Sequence, residues 1–280
     1  MTTMPDSDTI RRELASAGHT NVVVHAFETL ASTSVWLRER DRKPAVQAPS
    51  ADYVSEVSLP ATQLCVTDWQ SAGIARRGRT WQTKPGNITF SMLSHTSKST
   101  KDLLGLSLVT GIGVAHALSD YTSVEVQLKW PNDIVLADAK LGGLLTEIFA
   151  GNSELTGQGG SQILTGIGIN YLHDEEVLSL GIGATSLQFA GVAVKRDLLL
   201  GKLAASVLSS HQLFYAEGWC AFAERWRTLD WLMDKNVNLH GEQGTEQAIA
   251  RGVNDHGALL VERAGGTLPL YSGNVSVRPT

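Results

Sequence analysis

The chain has 280 residues, of which 42% are hydrophobic, and it carries a formal net charge of -5. This length and composition predict one large folded domain with a substantial core and room for a small second domain. The acidic balance argues against a general nucleic-acid-binding protein, because contacts with phosphates need a basic face. The two cysteines, Cys65 and Cys220, lack Cys-x-x-Cys spacing and predict neither a disulfide framework nor a zinc ribbon.

The beginning of the chain contains Asp6 and Asp8 but no apolar run, so we expect no signal peptide. The longest uncharged segment, residues 103–119, is too short to span a membrane and is interrupted by glycines. We therefore expect no membrane association and a location in the reducing cytoplasm.

The first third of the chain alternates between helical and extended patterns. Helices are predicted over residues 8–17 and 35–40, and strands over residues 22–27, 63–69 and 87–93. The proline-containing segment 41–60 is predicted to be an exposed connection. The last two strands frame a long loop, an arrangement that suits a lid over a ligand.

That loop, residues 70–81, is called the arginine loop below because it brings together Arg76, Arg77 and Arg79 in an otherwise acidic chain. Guanidinium groups match phosphate oxygens in pairs, and glycines such as Gly73 let backbone N–H groups approach an anion. A solvated turn is the alternative. On this loop alone, a phosphate-binding role is slightly favoured.

The middle of the chain continues with a capping box at residues 99–102 and a helix over 103–121. Strands are then predicted over 124–130, 133–136, 141–149 and 162–170, with a loop over 152–160, and helices over 197–215 and 219–232. Beyond residue 236, short alternating runs separated by glycine turns predict a small barrel. These runs are 236–239, 247–250, 257–262 and 273–278.

Three further blocks follow the arginine loop: Lys129-Trp130-Pro131-Asn132-Asp133, Lys140-Leu141-Gly142-Gly143-Leu144-Leu145 and Gly166-Ile167-Gly168-Ile169-Asn170. The four blocks, in this order, resemble the catalytic core of the biotin protein ligases. The resemblance extends from about Phe27 to Arg278. Because the first predicted strand begins near the start of the chain, the sequence resembles the ligase-only type, which lacks the N-terminal DNA-binding domain.

The resemblance implies an α+β fold: a mixed sheet with helices, like that of class II aminoacyl-tRNA synthetases and biotin ligases, and a small C-terminal SH3-like barrel. The implied catalytic domain covers residues 1–235, and the implied SH3-like domain covers residues 236–280. No P-loop or complete Gly-x-Gly-x-x-Gly motif occurs, so ATP must be held in another way.

The implied activity is ATP-dependent biotin ligation, through biotinyl-5′-AMP with release of pyrophosphate and then transfer to a lysine of a biotin carboxyl carrier protein. Neither step needs a nucleophilic side chain, so the protein must align the reactants and neutralise charge. Mg²⁺ is the implied cofactor, a homodimer is a possible assembly, and no nucleic-acid partner is expected.

The resemblance also implies roles for individual residues, with Lys140, Arg76 and Arg79 as the catalytic ones. The implied biotin-binding residues are Ser32, Thr33, Gln70, Gly73, Arg76, Lys140 and Gly143. The implied ATP-binding residues are Arg76, Arg77, Arg79, Trp81, Lys129, Asn132, Asp133 and Asn170. The metal ligands stay open, with Asn132 and Asp133 as candidates.

Three positions depart from the family pattern, because Ile74 and Ala75 replace an arginine and a glycine and Ser34 replaces an asparagine. Two alternatives therefore stay open: a lipoate-protein ligase or transferase, and a catalytically weakened biotin-binding sensor. Structural roles are also open, since Lys140 could be an exposed turn lysine and Trp81 a core anchor.

Overall fold

The structure is a computed structural model that describes residues 2–41, 60–151, 160–172, 183–241, 244–271 and 276–279. Apart from their end residues, the connection predicted over 41–60 and the loop predicted over 152–160 lie outside the described residues.

Seven strands form one mixed sheet, as the sequence predicts. They are β1 (Val22–Leu30), β2 (Thr62–Gln70), β5 (Ile88–Thr96), β6 (Gln127–Lys129), β7 (Asp133–Leu136), β8 (Ala139–Ala150) and β9 (Ser161–Ile169). Their order across the sheet is β1-β2-β5-β9-β8-β7-β6. Strands β1 and β2 are parallel, and the other neighbours are antiparallel. The short strands β3 (Gly73–Ile74) and β4 (Thr80–Trp81) form a separate hairpin inside the arginine loop.

Both faces of the central strand β5 are buried, because helices cover the sheet on one side and α2 covers it on the other. The α-helices in the part of the chain that the structure describes are α1 (Ser7–Ser16), α2 (Thr33–Asp41), α3 (Leu106–Thr122), α4 (Arg196–Glu217) and α5 (Ala223–Leu229). Ile88 and Phe90 pack into the large core, whereas Leu93 packs under α2 beside Leu37. The alternation of side chains along a strand thus leaves Thr89 and Ser91 on one face together.

Two predicted helices begin or end differently in the structure. The capping box is present, with the Asp102 carboxylate accepting from the Ser99 backbone N–H at 3.2 Å, but it caps a 3₁₀ turn over Thr100–Leu103. Gly105, at φ 90°, separates this turn from α3, so Leu104 lies outside the helix and is 48% exposed. The helix predicted over 219–232 is a 3₁₀ turn followed by α5, which ends at residue 229.

The C-terminal strands form a five-stranded antiparallel sheet in the order β13-β12-β11-β10-β14. They are β10 (Asn236–Gly241), β11 (Gly244–Val253), β12 (Leu259–Arg263), β13 (Gly266–Leu270) and β14 (Ser276–Pro279). Strand β13 was not predicted from the sequence, because it contains a proline and has little alternation. Among the described strands no ladder joins β13 to β14. The Trp130 indole N–H donates to the Gly257 carbonyl at 3.0 Å and joins this sheet to the larger one.

The two cysteines are free, with Cys65 buried and Cys220 exposed. Among the described helices, none has both the length and the apolar character that crossing a membrane requires.

Burial of His211 between α3 and α4 makes the stability of the fold sensitive to acid. Burial lowers the pKa of His211 to about 4, and its Nε2 lies 2.9 Å from the Thr110 hydroxyl. Below pH 6.5 the unfolded chain therefore binds more protons than the folded chain. The stability that depends on neutral His211 is fully present above that pH and is lost as the pH falls towards 4.

We expect unfolding free energy to fall by about 2 to 3 kcal/mol between roughly pH 7.5 and 4.5 because of this side chain. Urea titrations at the two pH values measure the loss, and His211→Gln should reduce it. Burial also lowers the pKa values of His19 and His95, so part of the acid sensitivity stays in the variant. Equal losses in both proteins would contradict the assignment to His211.

Candidate functional site

A cavity of about 660 Å³ lies between the arginine loop and the face of the sheet formed by β5, β9 and β8. It collects nearly all the residues that the sequence analysis assigns to a site. The predicted residues lining it are Ser32, Thr33, Gln70, Arg76, Arg77, Arg79, Trp81, Lys129, Asn132, Asp133, Lys140, Gly143 and Asn170. Gly73 does not line it.

The arginine loop is an ordered hairpin with a tight turn at its tip. The turn covers Arg76–Gly78, Arg77 has φ 58°, and the Ala75 N–H donates to the Arg79 carbonyl at 2.8 Å. Ala75 itself has φ -115° and ψ 178°, which is extended backbone that any residue adopts. The replacement of the usual glycine at position 75 therefore places no strain on this conformation.

Gly73 closes the base of the hairpin, where it pairs with Trp81. A Cβ at this position would lie 2.5 Å from the Trp81 carbonyl oxygen and 2.9 Å from Nε2 of Gln70. A larger residue would push the two strands of the hairpin apart. Gly73 thus has a backbone role in this hairpin, and the implied biotin contact at this position stays a prediction.

One end of the cavity is polar and uncharged. Oε1 of Gln70 accepts from the Thr33 N–H at 2.8 Å and from the Thr33 hydroxyl at 3.0 Å. The Thr33 hydroxyl lies 2.7 Å from that of Ser91, which lies 2.8 Å from that of Ser34. These four buried side chains form a continuous chain of hydrogen bonds. Ser34, which replaces the usual asparagine, is a member of that chain.

Ser32 sits beside this polar end, at the start of α2. Its hydroxyl lies 3.5 Å from the Val35 N–H, at the limit of a hydrogen bond, while its carbonyl accepts from the Trp36 N–H at 3.0 Å. Ser32 thus occupies the N-cap position of α2, although its side-chain hydrogen bond is weak.

The opposite end of the cavity is cationic. Nζ of Lys140 donates to Oδ1 of Asp133 at 2.6 Å, and Arg76 donates to Oδ1 of Asn132 at 3.1 Å. The Asn132 amide in turn donates to the Leu144 carbonyl at 2.8 Å. These contacts fix the position of the arginine loop against the strands that carry the lysine.

Two cations at this end are partly withdrawn from water. Burial, opposed by Asp133, lowers the pKa of Lys129, and the charges of Lys140 and Arg278 act in the same direction as burial. Burial and then the neighbouring Arg77 lower the pKa of Arg76. Crowded cations with reduced hydration favour an anionic ligand, which relieves both effects.

Trp81 forms a floor between the two ends, because two glycines lie beneath its indole. Gly143 and Gly168 face each other across β8 and β9. A Cβ on Gly168 would lie 2.4 Å from the indole, and one on Gly143 would lie 3.2 Å from it. Nζ of Lys140 is 5.7 Å from the centre of the same ring. The glycines therefore set the height of the loop above the sheet.

Asn170 anchors a neighbouring segment of the cavity wall. Its amide donates to the Thr185 carbonyl at 3.0 Å, and its carbonyl accepts from the Leu187 N–H at 2.9 Å. Because the side chain is 8% exposed, little of it is open to a ligand in this conformation. Asn170 therefore has a structural role in this conformation, because it holds the segment at Thr185 and Leu187 in place.

Several lining residues were missed by the sequence analysis. These are Ser91, Asp138, Trp231, Val277 and Arg278, together with apolar residues of the sheet. The Trp231 indole donates to the Asp138 carboxylate at 2.8 Å and lies 5.6 Å from Nζ of Lys129. Alternation in β5 could have revealed Ser91. The contribution of β14 depends on how the small sheet packs, which no local pattern shows.

The described residues contain no group of three or more histidine, cysteine, aspartate or glutamate side chains that could hold a metal ion. Asp133 is engaged by Lys140, and the Asn132 oxygen accepts from Arg76. This donor set does not form a closed metal site. It fits only a cation such as Mg²⁺ that keeps its waters and arrives with a phosphate ligand.

Residues 44–170 match the biotin/lipoate A/B protein ligase family, and residues 233–278 match the biotin protein ligase C-terminal domain. The bifunctional ligase/repressor BirA of Salmonella typhimurium is 37% identical over 226 residues, which cover 79% of this chain and 68% of the relative. The biotin–[acetyl-CoA-carboxylase] ligase of Mycobacterium tuberculosis is 29% identical over 261 residues, covering 89% and 92%.

Among solved structures, the biotin protein ligase of Aquifex aeolicus in complex with biotin and ATP is similar to this chain with a TM-score of 0.70. The sequences are 26% identical, and the match covers 93% of this chain and 99% of that one.

Proposed function

This chain belongs to the biotin/lipoate A/B protein ligase family, and from that premise we propose that it joins biotin to a lysine of a biotin carboxyl carrier protein. The reaction is ATP-dependent biotin ligation. The observation that carries the proposal is the single cavity with a neutral hydrogen-bonding end and a cationic end beneath one loop. A biotin ring and a carboxylate-plus-phosphate pair need such ends.

In the first step, an oxygen of the biotin carboxylate attacks the α-phosphorus of ATP. The bond from that phosphorus to the bridging oxygen breaks, its electron pair leaves with pyrophosphate, and biotinyl-5′-AMP forms. In the second step, the acceptor amine attacks the carbonyl of this mixed anhydride, AMP leaves and the amine loses a proton. Alignment of the reactants and neutralisation of charge can supply most of the acceleration.

The proposed roles follow from the two ends of the cavity. The hydroxyls of Thr33, Ser34 and Ser91 can donate to and accept from the ureido group of biotin. Lys140, at the cationic end, is assigned to the carboxylate and the α-phosphate, which repel each other without a cation between them. Supporting this assignment, Nζ of Lys140 has Asp133 as its one carboxylate partner among the described residues, and a ligand anion can replace or share that partner.

The remaining cations and the wall are assigned to the nucleotide. We infer that Arg76, Arg79 and Lys129 neutralise the phosphates, while Trp81 and Asn170 border the adenylate. Mg²⁺ bound by ATP would further screen the triphosphate, with Asp133 as a carboxylate at the cationic end that could contact it.

Lipoate is the alternative substrate, and the polar end of the cavity argues against it. The dithiolane ring of lipoate has no strong hydrogen-bonding group, so the Thr33 and Ser91 hydroxyls would gain no hydrogen bond from it, whereas the ureido group of biotin offers donors and an acceptor. The sensor alternative is disfavoured because the Lys140 region and the hairpin are intact. Replacing biotin by lipoate in the ligation assay separates the two substrates.

The acceptor is tested by incubating the protein with biotin, ATP and a biotin carboxyl carrier domain. We expect the mass of the carrier to rise by one biotinyl group, and a carrier with arginine in place of its acceptor lysine to stay unmodified. Modification of both carriers, or of neither, would contradict the proposed acceptor. The cytoplasmic location, the homodimer and the division at residue 235 stay predictions.

We expect Arg76→Gly to form biotinyl-5′-AMP but to release it into solution. Arg76 joins the loop to Asn132 at 3.1 Å, and without this tie the loop covers the mixed anhydride less completely. The measurement is biotin labelling of an unrelated lysine-rich protein, detected by blotting, with pyrophosphate release followed in parallel.

Arg77→Gly is the matched comparison. Arg77 lies in the same turn, is exposed and has φ 58°, which glycine adopts readily. We expect Arg76→Gly to raise bystander labelling several-fold more than Arg77→Gly does. Equal labelling by the two variants would remove Arg76 from its proposed closing role.

A further inference from the structure

A fully buried carboxylate outside the cavity holds together four parts of the chain. Asp68 lies near the end of β2, is 0% exposed and does not line the cavity. Its Oδ1 accepts from the Gly86 N–H at 3.1 Å, and its Oδ2 accepts from the Thr3 N–H at 3.1 Å. The Arg196 guanidinium, at the start of α4, forms an ion pair with the same carboxylate.

Two of these four parts are the stems of the arginine loop. Asp68 precedes Gln70, where the loop begins, and Gly86 lies where the chain returns to β5. Beside this contact, the Trp69 indole donates to the Thr83 carbonyl at 3.1 Å. The outgoing and returning stems are therefore joined twice, once by a neutral hydrogen bond and once by the charged acceptor of Asp68.

The returning stem is also tied to the segment that follows β9, next to the lining residue Asn170. Oδ1 of Asn87 accepts from the Tyr171 N–H at 2.8 Å and from the Leu172 N–H at 3.0 Å. Gly86 has φ 90°, and a Cβ there would lie 2.4 Å from Leu172. Because glycine has wide backbone freedom, the Gly86 N–H needs an acceptor to keep this stem in one place.

We propose that Asp68 is a positioning residue for biotin ligation, acting through Gly86 to hold the returning stem so that the arginine loop stays closed over the cavity. The inference rests on the proposed function, in which the loop covers biotin and the adenylate. When a binding-competent state is only partly populated, apparent affinity falls by that fraction. Loss of the Asp68 contact should therefore raise KM more than it lowers kcat.

Two substitutions of Asp68 differ in whether they leave an acceptor for the Gly86 N–H. Asp68→Asn keeps an oxygen that can accept from the Gly86 N–H, whereas Asp68→Ala removes it. Both remove the charge that faces Arg196, but Arg196 keeps a second anion, Asp197, at 2.8 Å. The comparison thus separates positioning of the loop from the stability supplied by the ion pair.

The experiment measures KM for biotin, kcat for pyrophosphate release and the rate of trypsin cleavage within the arginine loop. We expect Asp68→Ala to raise KM and the cleavage rate about tenfold, Asp68→Asn to raise both about threefold, and kcat to change less than about threefold. Glu13→Gln is the control, because it breaks an ion pair with Lys202 on α4 without touching the loop. It should lower the melting temperature and leave KM and cleavage unchanged.

Equal KM and cleavage rates for folded Asp68→Ala and Asp68→Asn, or values equal to those of the unsubstituted protein, would overturn the proposal. If Asp68→Ala does not fold, the proposal is tested with Asp68→Asn alone. A threefold rise in KM and in the cleavage rate would support the proposal, and unchanged values would overturn it. Absence of biotin-dependent pyrophosphate release from the unsubstituted protein would instead reject the proposed function. The cleavage readout does not depend on that activity.

Discussion

Replacement of Lys140 by alanine should lower biotin-dependent pyrophosphate release about a hundredfold or more, which is the usual cost of removing one charge-stabilising donor. Lys140 reaches into the cationic end of the cavity, where its Nζ lies 2.6 Å from Asp133 and 5.7 Å from the centre of the Trp81 ring. Its side chain is only 27% exposed, so truncation also removes some packing and the folding of the variant has to be checked. Asp133 keeps Lys129 as a neighbouring cation across β6 and β7.

Lys101→Ala is the matched control, because Lys101 is an exposed lysine in the 3₁₀ turn before α3 and does not line the cavity. Circular dichroism and thermal unfolding of both variants establish that they are folded. Unchanged pyrophosphate release from a folded Lys140→Ala protein would remove Lys140 from the reaction.

Replacement of Gly168 by alanine should lower biotin-dependent pyrophosphate release by a similar factor, because it moves Trp81. The added Cβ would lie 2.4 Å from the indole, closer than any stable contact, and Nζ of Lys140 lies 5.7 Å from the centre of the same ring. The ring must therefore shift together with β4. A displacement of about 1 Å near reacting groups can cost roughly a hundredfold in rate.

Two comparisons isolate this clash from a general effect of alanine. Gly265→Ala places its Cβ where no atom lies within 4 Å, so it should leave the rate unchanged. Adding Gly168→Ala to a Trp81→Ala protein should cost little further, because the clash is already absent. Additive losses in that double variant would show that Gly168 acts independently of Trp81.

Much of the sheet could be predicted because its strands have strong local patterns. Strand β9 and the strand pair β2 and β5 show apolar runs or alternation that fixes their type, and the blocks at Lys129 and Lys140 carry the resemblance. The site residues on these strands lie close together because the sheet pairs strands from distant segments of the chain. The sequence supplied the residues, and the pairing supplied their proximity.

Other features depend on contacts that have no local pattern. Gly105 separates a capped turn from α3, and its effect overrides the apolar periodicity that included Leu104. Alternation in β5 indicates which face Ser91 shares, but its contacts with Thr33 and Ser34 come from a distant segment. The role of Asp68 could not be predicted either, since Thr3, Gly86 and Arg196 meet it from widely separated positions.

The central claim is that the cavity activates biotin with ATP, and pyrophosphate release coupled to identification of the adenylate by mass spectrometry tests it most directly. We expect pyrophosphate and biotinyl-5′-AMP to form in equal amounts when biotin and ATP are both present, and neither to form when lipoate replaces biotin. Equal release with lipoate, or no release with biotin from a folded protein, would contradict the account.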